Sequence, residues 1–218
     1  MRALVFGDLH GRIRAMYDYA FKWAESAGRP VDVILQVGDF GVFPDSSKLD
    51  EKKVGKYGIG DYSELLSEGW SAPIPTYFCK GNNEDFDALR NPLLPGLTCV
   101  PDGSVITLGD TRIAFLGGGW APKSYASEEG KPNHISRPAV ERLMNEDFDI
   151  LICHEAPAGT RLTGKIYPVG APPLRELIEA KHARLAIHGH HHIPAERTIG
   201  QTRVIALDRF RSSNPDPR

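Results

Sequence analysis

Five short apolar runs in this chain each stop on a polar cluster, and that recurrence constrains the fold more than any other feature. Ala3 to Phe6 runs into Gly7-Asp8-Leu9-His10, and Val31 to Val37 into Gly38-Asp39. Thr76 to Cys79 runs into Lys80-Gly81-Asn82-Asn83-Glu84, Ile150 to Cys153 into His154, and Leu185 to His188 into Gly189-His190-His191-His192. A short apolar run without alternation is the pattern of a strand buried on both faces. In sheets built from βαβ units, the C-terminal strand ends gather on one rim, and ligands bind there. Side chains far apart in sequence can therefore meet in one crevice.

The segments between the runs support that reading. Ile13 to Ala27 carries Ile13, Met16, Tyr17, Ala20, Phe21 and Ala24 at helical spacing, and Gly28 is a suitable stop. Strand, helix and strand up to Val37 thus form a βαβ unit. Pro44 to Gly69 reads as a polar surface excursion with a short helix near Tyr62 to Glu68. Leu97 to Val100 is a further strand candidate. Later the pattern changes to hairpins, one around Gly109-Asp110 and one around Thr198 and Gln201-Thr202. Helices are predicted over Pro138 to Asn145 and Pro173 to Lys181, with a loop from Gly117 to about Arg137. Early crossovers and late hairpins imply two sheets packed face to face and flanked by helices. At 218 residues the chain is expected to form one domain over 1–211, with a polar tail over 212–218.

Composition removes several classes. Lysine and arginine number 26 and aspartate and glutamate 28, for a net charge of −2. No general basic surface is available to hold nucleic acid by counterion release. The lysines at 48, 52, 53 and 56 read as a solvated face. Cys79, Cys99 and Cys153 are odd in number, with no CxxC pair, and read as buried free thiols of a reducing compartment. No apolar stretch approaches the ~20 residues of a membrane span. The N-terminal run is too short for a signal sequence, so a cytoplasmic location is expected.

The clusters share one chemistry: carboxylate, amide oxygen and imidazole, without thiolate. That set suits borderline or harder divalent ions such as Mn, Fe, Co, Ni or Zn, with Mn²⁺ favoured here. Taken together, Asp8, His10, Asp39, Asn82, His154, His190 and His192 are too many for one ion and suit two, with Asp39 shared.

Asp-x-His, Gly-Asp, Gly-Asn-Asn-Glu, a later His and Gly-His-x-His, in that order, resemble the calcineurin-like metallophosphoesterase superfamily over Leu4 to Leu207. The resemblance implies an α/β fold, a four-layer α/β/β/α sandwich of two mixed sheets flanked by helices. It assigns Asp8, His10, Asp39 and His192 to one metal and Asp39, Asn82, His154 and His190 to the other, with Asp39 bridging. On that resemblance, two bound cations would lower the pKa of a shared water and supply the nucleophile for attack on phosphorus.

Two departures refine the expectation. The family usually places histidine after Gly-Asn, where this chain has Asn83. An amide can donate to a phosphoryl oxygen but cannot transfer a proton at neutral pH. Some family members that cleave phosphodiesters also lack this histidine, which favours a phosphodiesterase over a phosphomonoesterase. Gly38-Asp39 is followed by Phe40-Gly41-Val42-Phe43-Pro44, so the arginine of the protein phosphatases is missing; Arg12 is a candidate substitute. His134 is a candidate acid, and Phe43, Trp120 and Tyr125 are either packing residues or stacking platforms for a nucleobase. His188 is expected to be structural and His191 carries no assigned role. The expected substrate is a small phosphate ester or a nucleotide, with no membrane and no strong generic nucleic-acid binding. A phosphomonoesterase or protein phosphatase, a nuclease, and a non-catalytic scaffold of the same fold are the alternatives.

Overall fold

The computed structural model describes residues 1–127, 130–164 and 166–211; the polar tail expected over 212–218 lies outside them. One sheet contains β1 (Ala3–Phe6), β2 (Val33–Gln36), β3 (Thr76–Phe78) and β4 (Leu97–Cys99), side by side in that order. All its pairs are parallel. The second sheet contains β5 (Ser104–Leu108), β6 (Thr111–Leu116), β7 (Ile150–Cys153), β8 (Leu185–His188), β9 (Ala195–Ile199) and β10 (Thr202–Ala206). Its order is β5-β6-β7-β8-β10-β9, parallel in the middle and closed at each edge by an antiparallel hairpin. The expected pair of sheets flanked by helices is present. Only the larger sheet is mixed, because each connection within the smaller one is a crossover rather than a tight turn.

Alternation along the strands builds the layers. Val33 and Leu35 of β2 meet Ile113 and Phe115 of β6, Ile152 of β7 and Ile187 of β8 in a core between the sheets. On the outer face of the smaller sheet, Ile34 and Phe78 pack with Ile13, Met16, Tyr17 and Ala20 of α1 (Ile13–Ala27). Ala114, Leu116, Leu151 and Ala186, on the outer face of the larger sheet, receive α5 and α6. These two helices span Arg137–Met144 and Pro172–Lys181. Phe21 of α1 is 50% exposed. At 100° per residue it falls at the edge of the helix's apolar stripe.

Two helices lie where loops were expected, α2 (Glu51–Tyr57) in the excursion and α4 (Pro122–Tyr125) after β6. The excursion's predicted helix is α3 (Tyr62–Ser67). After β10 the chain returns to β1, where the Phe210 N–H donates to the Asp8 carbonyl at 2.9 Å. Phe210 then packs edge-on to Phe6.

Candidate metal centre

The polar clusters at the ends of β1, β2, β3, β7 and β8 converge. Asp8 and His154 are fully enclosed and Asp39 nearly so. Among the described residues, five non-glycine residues have positive φ: His10 (48°), Asp39 (54°), His182 (51°), His190 (67°) and His192 (55°). Each such residue costs on the order of 1–3 kcal/mol and persists only where its surroundings impose it. Four of the five belong to the predicted ligand set. The fifth, His182, ends α6 as its left-handed cap.

The side chains form two groups. In the first, His192 Nε2 lies 2.9 Å from Asp8 Oδ2 and 3.2 Å from His10 Nε2. In the second, His154 Nε2 lies 2.9 Å from Asn82 Oδ1 and 3.2 Å from His190 Nδ1. Asp39 stands between them, its Oδ2 3.8 Å from His10 and its Oδ1 3.6 Å from His154. All seven predicted ligand residues are thus brought together. The backbone carbonyl of Val37 faces His154 Nδ1 at 2.9 Å, which holds the proton there and leaves Nε2 free as a donor atom.

Glycines make the approach possible. A Cβ on Gly189 would sit 2.1 Å from Asp8 Oδ1, and one on Gly81 2.0 Å from Asp39 Oδ1. No larger residue fits either place.

A profile of the calcineurin-like phosphoesterases matches residues 1–194. The chain belongs to the calcineurin-like phosphoesterase family. It is 23% identical to a lariat debranching enzyme of Entamoeba histolytica, over 96% of this chain and 69% of that protein. A lariat debranching enzyme of Arabidopsis thaliana is 26% identical over 73% of this chain, which spans only 43% of that protein's length. Among solved structures, a Plasmodium protein described as GAP50, the anchor in the inner membrane complex, shares the fold. Its TM-score is 0.54 at 16% identity, covering 95% of this chain and 71% of that one.

The donor set of this phosphoesterase fits divalent cations. Ligand atoms about 2.1 Å from an ion stand roughly 3.0–3.5 Å from one another, close to the 2.9–3.2 Å gaps within each group. Asp8, His10 and His192 form one candidate ion-holding group, and Asp8, Asp39 and His154 another.

Several supporting residues had no role assigned from the sequence. Glu84 accepts from the N–H groups of Phe40, Gly41 and Val42 at 2.7, 3.0 and 2.9 Å, and so shapes the turn after Asp39. Burial and the neighbouring Asp39 charge push Glu84 up to about 8. Glu155 accepts from the backbone of Trp120 and Ala156 and pairs with His191 at 2.8 Å. It also stands 3.6 Å from His190. His191 thereby gains a role the motif did not give it, as the hydrogen-bond partner of Glu155 next to the candidate ligand His190. The Tyr57 ring stacks on His10 with centroids 3.6 Å apart and planes at 15°. Glu84 closes a predicted ligand cluster and Glu155 follows one, so position could have marked both for a role; nothing in the sequence marks Tyr57.

The remaining candidates are placed as follows. Arg12 begins α1, and its Nη1 is enclosed without a hydrogen-bond partner. The backbone of His134 pairs with Gly119 beside the site, and its buried Nδ1 is likewise unpartnered. Burial, then Lys131 and Lys80, lower the His134 pKa. Trp120 and Tyr125 pack on each other at 5.3 Å against the outer core of the larger sheet. Lys48 is paired with Asp85 at 2.8 Å. Cys79 and Cys153 are buried as expected, whereas Cys99 is half-buried. No helix among the described residues is long and apolar enough to cross a membrane.

Burial carries a pH signature. It lowers His10, His188 and His190 to about 4 each. Burial alone would raise Asp8, but the His192 hydrogen bond and the His154 field hold it at about 2. A depressed folded pKa stabilises above the unfolded value and is lost as pH falls through the folded one. The metal-free protein should therefore lose stability from about pH 6.5 down to 4, on the order of 3 kcal/mol from His188 alone. His154 opposes this: burial lowers it, but Asp39 and Asp8 raise it net. Thermal denaturation in chelator across that range checks the sign. A midpoint that rises on acidification contradicts it.

Proposed function

We propose that this calcineurin-like phosphoesterase is a dinuclear metal-dependent hydrolase of phosphodiesters. The observation that carries the reading is Asp39, whose carboxylate lies between the His10 and His154 groups. When bound, two divalent cations supply an activated water and neutralise charge developing on the phosphoryl oxygens. Asp8, His10 and His192 would hold one cation, and Asn82, His154 and His190 the other, with Asp39 available to both.

The other residues position and orient. Asn83 donates through Nδ2 to Asp39 Oδ2 at 2.5 Å and through its backbone to Oδ1 at 2.8 Å. Its amide is therefore held at the bridging carboxylate, where it can turn to a phosphoryl oxygen without delivering a proton. Water or another side chain protonates the leaving oxygen; the lowered pKa of His134 leaves it neutral at pH 7 and reduces its supply of protons. Arg12, at the N-terminal end of α1, is proposed to bind substrate. The likeness to proteins named as lariat debranching enzymes supports a diester substrate.

The test is metal content together with hydrolysis of bis-p-nitrophenyl phosphate and p-nitrophenyl phosphate in Mn²⁺. Two ions per chain and faster turnover of the diester are expected. Protein that binds less than one ion and leaves both esters intact refutes the reading. Asn83→His restores the position of the family acid. It should raise monoesterase turnover by about tenfold or more, since a positioned proton donor contributes ~10²–10⁴-fold. A monoester rate that does not move removes the acid from the account of substrate preference.

A further inference from the structure

A further group of donors stands beside the proposed pair of ions. Glu155 lies just past β7, and His190 and His191 just past β8. Their donor atoms, one carboxylate oxygen and two imidazole nitrogens, lie within 4.8 Å of one another. We infer that these three residues form a separate zinc site, which competes with the dinuclear centre for His190. The site goes beyond the phosphodiesterase reading; only its effect on turnover rests on that reading.

The carboxylate is held in place by the backbone. Glu155 is buried, its Oε1 accepting from the Ala156 N–H at 2.8 Å and its Oε2 from the Trp120 N–H at 2.9 Å. Each oxygen keeps a lone pair for one imidazole. His191 Nε2 lies 2.8 Å from Oε1, where an ion can take the place of the shared proton. His190 Nε2 lies 3.6 Å from Oε2. That gap is too long for a hydrogen bond. It is close to the roughly 3.0–3.5 Å that separates two donors on one zinc ion. The imidazoles are 26% and 15% exposed, so an ion reaches them from solvent without opening the core.

The donor types set the preference. Two imidazoles and one carboxylate, with a fourth position left to water, are a common zinc set. The proposed pair is richer in oxygen, with Asp8, Asp39 and Asn82. Zinc outbinds manganese at a given set of nitrogen and oxygen donors, and imidazole favours it further. His191, which fills the open place of Gly-His-x-His, supplies the second imidazole.

His190 links the two sites. Its Nδ1 faces His154 Nε2 at 3.2 Å, inside the proposed pair, while its Nε2 faces Glu155. A neutral imidazole has one unprotonated nitrogen. It therefore serves the pair or the zinc site, and not both at once. Zinc beside Glu155 leaves the second ion of the pair with Asp39, Asn82 and His154.

Metal analysis after dialysis against zinc alone tests the site. Wild-type protein should retain one more ion per chain than His191→Gln or Glu155→Gln. His191 lies outside the proposed pair, so the difference does not depend on how many ions the pair holds. Its side chain is also partly exposed, so its variant gives an answer even where the Glu155 variant fails to fold. Zinc added to the Mn²⁺-loaded enzyme should cut turnover of bis-p-nitrophenyl phosphate about tenfold or more. In His191→Gln the loss should be about threefold or less, each protein being compared with its own zinc-free rate.

Equal zinc counts in wild type and His191→Gln overturn the site. Zinc inhibition that is absent, or equal in the two proteins, overturns the competition for His190. The two readings fail separately. An extra zinc ion in a protein that hydrolyses neither ester condemns the catalytic reading alone, and an active enzyme with equal zinc counts condemns the zinc site alone.

Discussion

Asp39→Asn should lower phosphodiester turnover at least about a thousandfold and reduce bound metal from two ions per chain to one or none. The reason is local. Asp39 Oδ1 accepts from the backbone N–H groups of Asn82 and Asn83, both at 2.8 Å, while Oδ2 accepts from the Asn83 side chain. An amide has one acceptor oxygen where the carboxylate has two. An NH₂ at the Oδ2 position faces one donor and at the Oδ1 position two, so at least one bond is replaced by a repulsion. The substitution also removes the negative charge that both candidate cations would share. Metal analysis of the purified variant, beside its turnover of bis-p-nitrophenyl phosphate, reads the two effects together. Wild-type turnover would show that Asp39 does not bridge.

Gly189→Ala is the second large effect, and it acts through space rather than charge. The added methyl would lie 2.1 Å from Asp8 Oδ1 and 2.8 Å from Val37 Cγ2. Asp8 is fully buried and cannot swing into solvent. Displacing it also disturbs its contact with His192 and the bond it accepts from the His190 backbone at 3.0 Å. Metal affinity should fall about 10–100-fold, the scale seen when the surroundings of a ligand are altered. Gly55→Ala is the matched control. Nothing lies within 4 Å of its added methyl, and it sits within α2, where alanine favours the helix by ~1 kcal/mol. Equal metal binding in the two variants would contradict the close-packing account.

Much of the fold was legible because its strands are short, apolar and bounded by glycine. β1, β7 and β8 begin and end at the expected residues. The site was legible because its ligand types recur at strand ends, an arrangement that parallel strands bring to one rim. What escaped was of another kind. α2 carries Gly55 and a run of lysines, which mask a helix from periodicity. Glu84 and Glu155 work by accepting backbone N–H groups, and such partners depend on where loops fold rather than on spacing. The Tyr57 stack on His10 joins residues far apart in sequence through an irregular excursion, and no local pattern encodes it.

The return of the chain end to β1 sets a schedule for synthesis. Asp8 meets His190 across 182 positions and His192 across 184, and the Phe210 N–H closes over Asp8 later still. At ~5–20 residues per second, roughly 10–40 s of translation separate the first of these residues from the last. The nascent smaller sheet must therefore carry Asp8 without His190 and His192 for that interval. A ribosome that stalls before His190 leaves a product with five of the seven proposed ligand residues, lacking His190 and His192. Metal loading should therefore require synthesis to have passed His192.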